Sequence, residues 1–354
     1  MRATLVALLV LALLVVAWLW WDGRPAAAVA EGGDACTIDL QRAAQLRGDH
    51  VQFALPASTE SFHALATLGE IHLFNTSGAY VRTIGRRGEG PGEFAGIQAI
   101  LGLSGDRFAV FDGSLARLTV MTSDGEVVQT APLPLSVTNA AAAQVDDSTF
   151  ALAGTMIDAD RYGSPLATIG IDGTVRQIFG EDEEEKQRPM LGRIMPRYPA
   201  WHPQHGIVSM RRYRWAIERW APDGSLIDTI EREVPWLQWP HPPIDPDNPH
   251  FIGQPEEQLL GAQFDQAGRL WYFSRKTPAT WREGVANGQV SDLRLWVDTR
   301  IEVFDLETES VLCWLTVDLP GINGFMGRGL IATYQENAVG EPQVDVWRLR
   351  LSPR

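Results

Sequence analysis

Short runs of alternating apolar and polar residues, each interrupted by a polar turn, recur along the chain. Four of these units have a glycine in the turn: Gly78, Gly125, Gly173 and Gly224. A fifth, residues 301–314, has Thr308 in place of the glycine. Alternation puts one side of a strand against a core, and glycine supplies the positive φ of a tight reversal. Each unit is therefore predicted to be a β-hairpin.

The spacing of the hairpins predicts the fold. The turn glycines are 47, 48 and 51 residues apart, and Thr308 follows 84 residues after the last one, which leaves room for an insertion. Inner strands are predicted before several hairpins, at residues 107–112 and 270–274. A repeat of about 48 residues with four short strands is typical of a propeller blade. We expect an all-β, six-bladed β-propeller of four-stranded antiparallel blades over residues 31–354, in which residues 36–40 close the last blade.

One segment between the first two hairpins carries a family resemblance. Residues 84–94 read Ile-Gly-Arg-Arg-Gly-Glu-Gly-Pro-Gly-Glu-Phe. This segment resembles the G-x-x-G-x-G-P-G-E/Q-F element of NHL-type six-bladed propellers, a type that includes exported bacterial proteins. The resemblance implies an architectural role, in which the glycines permit a tight crossing and the aromatic packs between blades. The alternative is that Arg86, Arg87 and Glu93 contact a ligand.

The N-terminus has the pattern of an export signal. Arg2 precedes 17 uncharged apolar residues, 5–21, and residues 28–30 fit a small-x-small cleavage site. We expect residues 1–30 to be a signal peptide cleaved after Ala30; the alternative is an uncleaved membrane anchor, which would be the protein's only membrane contact. Both place the domain outside the cytoplasm, in the periplasm or beyond the cell. There Cys36 and Cys313 could form one disulfide, or remain two buried thiols.

The formal net charge of −14 argues against nucleic acid as a partner. Three long segments, residues 180–203, 231–260 and 275–300, are predicted to lie on one face of the propeller, where binding usually resides. The first holds five consecutive acids at 181–185, read as a solvated loop or else a weak divalent-cation site. The second is rich in proline, and Trp236 and Trp239 belong either to a rigid lid or to a platform for stacking a ligand.

A basic cluster, residues 211–215, is predicted at the turn between the middle strands of the fourth blade. Strand alternation would send Arg212 and Arg214 to one side and Arg211, with the two aromatics, to the other. These arginines could bind a carboxylate, a sulfate or a sugar. Alternatively, they pair with the acidic residues 181–185.

The chain lacks the common catalytic motifs for nucleophilic serine, nucleotide and zinc sites. His202-x-x-His205 has the spacing of a metal-binding pair, but nearby prolines argue against the helix that would align it. No catalytic residue, metal ligand or cofactor is identified.

We therefore expect a non-enzymatic binding or scaffold protein of the cell envelope, whose long-loop face takes a protein, peptide or glycan. The alternative is a lactonase-like hydrolase or lyase with a divalent metal in the central channel. A third reading is a structural component of a larger assembly.

Overall fold

A computed structural model of the chain describes residues 36–51, 54–133, 137–156, 166–180, 197–234, 237, 257–277, 298–317, 322–336 and 340–353. In these ranges 26 strands form six four-stranded antiparallel sheets and one two-stranded sheet. The six inner strands contact one another in a closed ring. The predicted six-bladed, all-β propeller is confirmed. Within the same ranges, no helix is long and apolar enough to cross a membrane.

The strands are numbered in chain order, and the four strands of each blade are lettered a to d from the channel outward. Blade 1 consists of β2 Leu55–Ser58, β3 Phe62–Ala66, β4 Ile71–Asn75 and β5 Tyr80–Ile84. Blade 2 consists of β8 Ile97–Leu103, β9 Arg107–Asp112, β10 Arg117–Thr122 and β11 Val127–Pro132. Blade 3 consists of β12 Val137–Asp146, β13 Thr149–Met156, β14 Leu166–Gly170 and β15 Val175–Phe179.

Blade 4 consists of β16 Arg197–His202, β17 Gly206–Arg211, β18 Ala216–Trp220 and β19 Leu226–Glu231. Blade 5 consists of β20 Gln258–Phe264, β21 Leu270–Lys276, β22 Asp298–Asp305 and β23 Ser310–Val317. Blade 6 consists of β24 Ile322–Gly327, β25 Leu330–Glu336, β26 Pro342–Pro353 and β1 Cys36–Arg47. The two-stranded sheet, β6 Arg86–Arg87 with β7 Glu93–Phe94, lies between blades 1 and 2.

The four turn glycines lie in c–d hairpins, as predicted, with φ between +80° and +93°. They also allow close contact between blades. A Cβ on Gly78 would lie 2.3 Å from the Gln45 carbonyl oxygen on the outer strand of blade 6, and one on Gly173 would lie 2.4 Å from the Pro132 carbonyl oxygen of blade 2. Turn conformation and blade packing therefore both require glycine at Gly78 and Gly173.

The N-terminal strand closes the ring. β1 pairs with β26 from Cys36 opposite Pro353 to Arg47 opposite Gln343, a longer strand than the predicted residues 36–40. Pairing β1 with β26 covers the edge that an open sheet would expose. A disulfide joins Cys36 to Cys313 on the outer strand of blade 5, with the two Cα atoms 5.6 Å apart. The closing strand is thus held by hydrogen bonds on one side and covalently on the other.

Apolar side chains between neighbouring blades form the core. Phe111 of blade 2 meets Phe150 of blade 3 edge-on, with ring centroids 5.5 Å apart. Similar clusters fill the other five interfaces. Because burial of each large side chain contributes roughly 1.5–3 kcal/mol, these interfaces make the ring a rigid support.

Strand order assigns the connections to two faces. The a–b and c–d turns open on one end of the ring, termed the turn face, and the b–c turns and d–a connections open on the other, termed the insert face. The connections β15 to β16, β19 to β20 and β21 to β22 all belong to the insert face. The three predicted long segments include the ends of these strands. Most of each segment lies outside the described residues, namely residues 181–196, 238–256 and 278–297.

Candidate functional site

A buried charge cluster lies between blades 3 and 4, toward the insert face. Glu218, on β18, accepts hydrogen bonds from Arg197 Nε at 2.6 Å, Arg211 Nε at 2.8 Å and Ser209 Oγ at 2.8 Å. Burial alone would raise the pKa of Glu218, but the two guanidinium groups and the hydroxyl outweigh it and hold the pKa below its usual value. The carboxylate is therefore ionised and fully engaged.

A second cluster of the same kind lies between blades 4 and 5. Glu302, on β22, has a fully buried side chain that accepts from Arg232 Nη2 at 2.7 Å and Arg300 Nε at 2.7 Å. The Tyr272 hydroxyl also donates to it, and Trp215 Nε1 donates to that hydroxyl at 2.9 Å. Burial and the neighbouring carboxylate raise the pKa of Tyr272 well above its usual value, so the phenol stays protonated and donates.

The two clusters are rich in arginine donors. Glu218 is held by Arg197 and Arg211, and Glu302 by Arg232 and Arg300. Three guanidinium N–H groups in this region, Arg197 Nη1, Arg212 Nε and Arg232 Nε, are buried and have no acceptor in the described part of the chain. An acidic ligand on this face could accept hydrogen bonds from arginine donors of this kind.

The predicted basic cluster at 211–215 lies at the b–c turn of blade 4, but its side chains are not arranged as expected. Arg211 points toward blade 3 and Trp215 packs toward blade 5, so the prediction that both share one side is wrong. Residues 212–214 form the turn between β17 and β18, and strand alternation does not continue through a turn.

The partners of these arginines differ in burial. Arg211 pairs with buried Glu218. Arg214 pairs with Glu231 at 2.7 Å, and the side chains of Arg214 and Glu231 are both exposed. Arg212 contacts the buried Tyr198 hydroxyl, whose pKa burial raises. Two predictions concern residues outside the described ranges. They are the pairing of these arginines with residues 181–185 and the lid or platform formed by Trp236 and Trp239.

The segment 84–94 forms a compact loop on the insert face. Phe94 is fully buried between blades 1 and 2, and a Cβ on Gly85 would lie 2.6 Å from its ring. Glu93 accepts from Gly90 N at 2.8 Å and from Arg86 Nε at 2.6 Å, and these bonds lower its pKa. The contacts of Phe94 and Glu93 support the architectural interpretation, while Arg86 and Arg87 are exposed.

The central channel contains two cavities, of about 430 Å³ toward the turn face and about 170 Å³ toward the insert face. The walls of the smaller cavity are mainly small or apolar, whereas the larger one also includes polar side chains, among them Ser58, Gln263, Asp147 and Arg328. His202 and His205 lie at the a–b turn of blade 4 with ring centroids 5.4 Å apart. No three histidine, cysteine or carboxylate side chains in the described ranges are grouped so that they could hold a metal.

Sequence reasoning missed five of the six charged members of the two clusters: Arg197, Glu218, Arg232, Arg300 and Glu302. A signal was present, because Glu218 and Glu302 each follow a buried isoleucine in the first strand of a predicted hairpin. A charged residue at an inward position of a strand indicates a buried partner. Arg300 is two residues from Glu302 on β22, whereas Arg197 and Arg232 come from other segments and only the fold brings them to the glutamates.

Comparison with known proteins shows similarity in the fold. A family model described as a 6-bladed beta-propeller matches residues 66–166. A member of the DUF4221 family from Bacteroides vulgatus shares 12% identity over 91% of this chain and 100% of that one, with a TM-score of 0.59. Virginiamycin B lyase from Staphylococcus aureus shares 10% identity over 88% and 99%, with a TM-score of 0.45. BBS1N, solved in complex with ARL6DN, shares 11% identity over 82% of this chain and 75% of that one, with a TM-score of 0.44.

No curated protein sequence matches this chain. The structures above include both an enzyme and a protein solved with a protein partner, and at these identities they relate to the chain through the fold alone. The NHL-type kinship remains a prediction.

Proposed function

We propose that this chain is a non-enzymatic binding protein of the cell envelope and that its insert face binds an acidic protein or peptide. The observation that carries the proposal is the arrangement of the two buried glutamates, each holding two arginines where three long connections leave the blades. Four arginines around two carboxylates are a local concentration of cationic side chains in a chain whose formal charge is −14.

Electrostatics favours a carboxylate ligand at this face. Two unit charges 4 Å apart interact by about 4 kcal/mol at an effective dielectric constant of 20, a value suited to sites near a protein surface. Arginine also offers a planar pair of donors that matches a carboxylate. The arginines of the two clusters therefore offer charge-assisted hydrogen-bond donors to acidic side chains of a partner.

The proposed compartment is outside the cytoplasm. The apolar run at residues 5–21 supports it, as does the disulfide between Cys36 and Cys313, because such bonds persist in oxidising compartments. Fractionation of cells expressing the full chain with a C-terminal tag tests this part of the proposal. We expect the tag in the periplasmic, membrane or extracellular fraction; recovery of intact chain in the cytoplasm would contradict it.

A defined acidic peptide tests the binding face. Fluorescence anisotropy of labelled octaglutamate should show saturable binding that weakens as NaCl rises, because salt screens exposed charges. Arg212 and Arg214 do not hold either buried glutamate, so the double variant Arg212→Gln/Arg214→Gln should stay folded. We expect it to weaken binding at least about fivefold, which corresponds to about 1 kcal/mol.

The matched control removes the same charge near the turn face. Arg82 and Arg107 lie there, and Arg82→Gln/Arg107→Gln should leave peptide affinity within about twofold. An equal loss of octaglutamate affinity in both double variants would show that only the net charge of the protein matters, and it would overturn the proposal. Tighter binding of an oligouronate than of octaglutamate would assign the face to a glycan instead.

A further inference from the structure

A large cavity lies on the opposite side of the ring from the proposed binding face. It has a volume of about 850 Å³ and extends over blade 6, between the a–b turns of blades 5 and 1. Its walls come from β26, from the turn residues Arg328 and Gly329, and from Ser58, His63 and Phe264 of the flanking blades. A cavity of this size can enclose a small organic molecule.

The cavity has one positive charge more than its own acids neutralise. Arg269 pairs with Asp265 at 2.7 Å, and Arg328 lies 3.6 Å from Glu60. Arg348, on β26, also lines the cavity, but no acid in the described part of the chain pairs with it. Three arginines therefore face two carboxylates, and the excess charge is on an accessible guanidinium group.

The chemistry around Arg348 is divided between polar and apolar groups. His63 and Ser58 form a hydrogen bond of 3.0 Å between Nδ1 and Oγ in the wall toward blade 1. Burial lowers the pKa of His63, so its imidazole is neutral near neutral pH and Glu60 is the charged group of this wall. On the side toward blade 5, Phe264 and Leu349 provide an apolar surface.

We propose that this cavity is a binding site for a small organic monocarboxylate. The carboxylate would pair with the Arg348 guanidinium group, and the apolar remainder of the ligand would contact Phe264 and Leu349. A monoanion matches the single excess charge, whereas a phosphate dianion would leave the cavity negative beside Glu60 and Asp265. The site is independent of the proposed insert-face function, since the two lie at opposite ends of the ring.

The test uses phenylacetate and its uncharged analogue phenylacetamide with the full folded domain, monitored by ligand-detected NMR and calorimetry. We expect saturable, equimolar binding of phenylacetate and at least about tenfold weaker binding of the amide, because its carbonyl can still accept a hydrogen bond but carries no negative charge to pair with Arg348. Arg348→Gln should weaken phenylacetate binding by a similar factor and should not change octaglutamate binding.

Two further variants complete the design. Arg350→Gln removes the same charge two residues along β26, outside the cavity, and should leave affinity within about twofold. Ala43 is exposed at the cavity rim, so Ala43→Trp should fill the space without disturbing the core and should abolish binding. No saturable binding of phenylacetate, equal affinity for the amide, or equal losses in Arg348→Gln and Arg350→Gln would overturn the proposal.

Discussion

Replacing a glutamate by glutamine should destabilise the protein strongly in a buried ion pair of the insert face and only slightly in an exposed one. Glu302→Gln removes a charge whose side chain is 0% exposed and leaves Arg232 and Arg300 facing a neutral amide. Loss of one partner of a buried pair costs about 3–5 kcal/mol. The Arg232 and Arg300 side chains are 34% and 15% exposed, so water relieves part of that cost. We expect a loss of about 2–4 kcal/mol in the free energy of unfolding.

The control makes the same change in an exposed pair. Glu231 contacts Arg214 at 2.7 Å, but both side chains are about half exposed, and such pairs contribute about 0–1 kcal/mol. Urea unfolding, followed by tryptophan fluorescence and far-UV circular dichroism, gives both values if the denaturant slope is unchanged. A cost for Glu302→Gln below about 1 kcal/mol, or equal to that of Glu231→Gln, would refute the view that the buried clusters are electrostatically constrained.

Three other outcomes are expected. The double variant Cys36→Ala/Cys313→Ala should lose about 3–5 kcal/mol in urea unfolding, because the bond closes a loop of 277 residues; a loss below about 1 kcal/mol would contradict this. Phe94→Ala should cost about 3–5 kcal/mol and exposed Arg86→Ala less than about 0.5, so similar values would argue against an architectural role for the loop. Burial lowers the pKa of His63, so the unfolded chain binds more protons, and stability should fall as pH drops below about 6.5; His63→Gln should show a shallower fall.

The sequence alone was sufficient for the scaffold. The hairpins follow from local rules: alternation determines which side of a strand is buried, and glycine at positions such as Gly125 permits the reversal. The repeat length then determines the number of strands in each blade. Even the closing strand could be expected, since a propeller without β1 would leave the edge of β26 unpaired. Its length could not, because pairing beyond residue 40 depends on the partner strand.

The candidate sites required the tertiary structure. Glu218 and Arg197 are 21 residues apart and Glu302 and Arg232 are 70 apart, and no local pattern couples such positions. At residues 211–215, strand alternation does not continue across the turn, so Arg211 and Trp215 lie on opposite sides of blade 4 and not on the same side as predicted. The cavity at Arg348 combines side chains from the first and last parts of the chain. Strand formation depends on neighbours in sequence, whereas a binding site depends on which blades the closed ring makes adjacent in space.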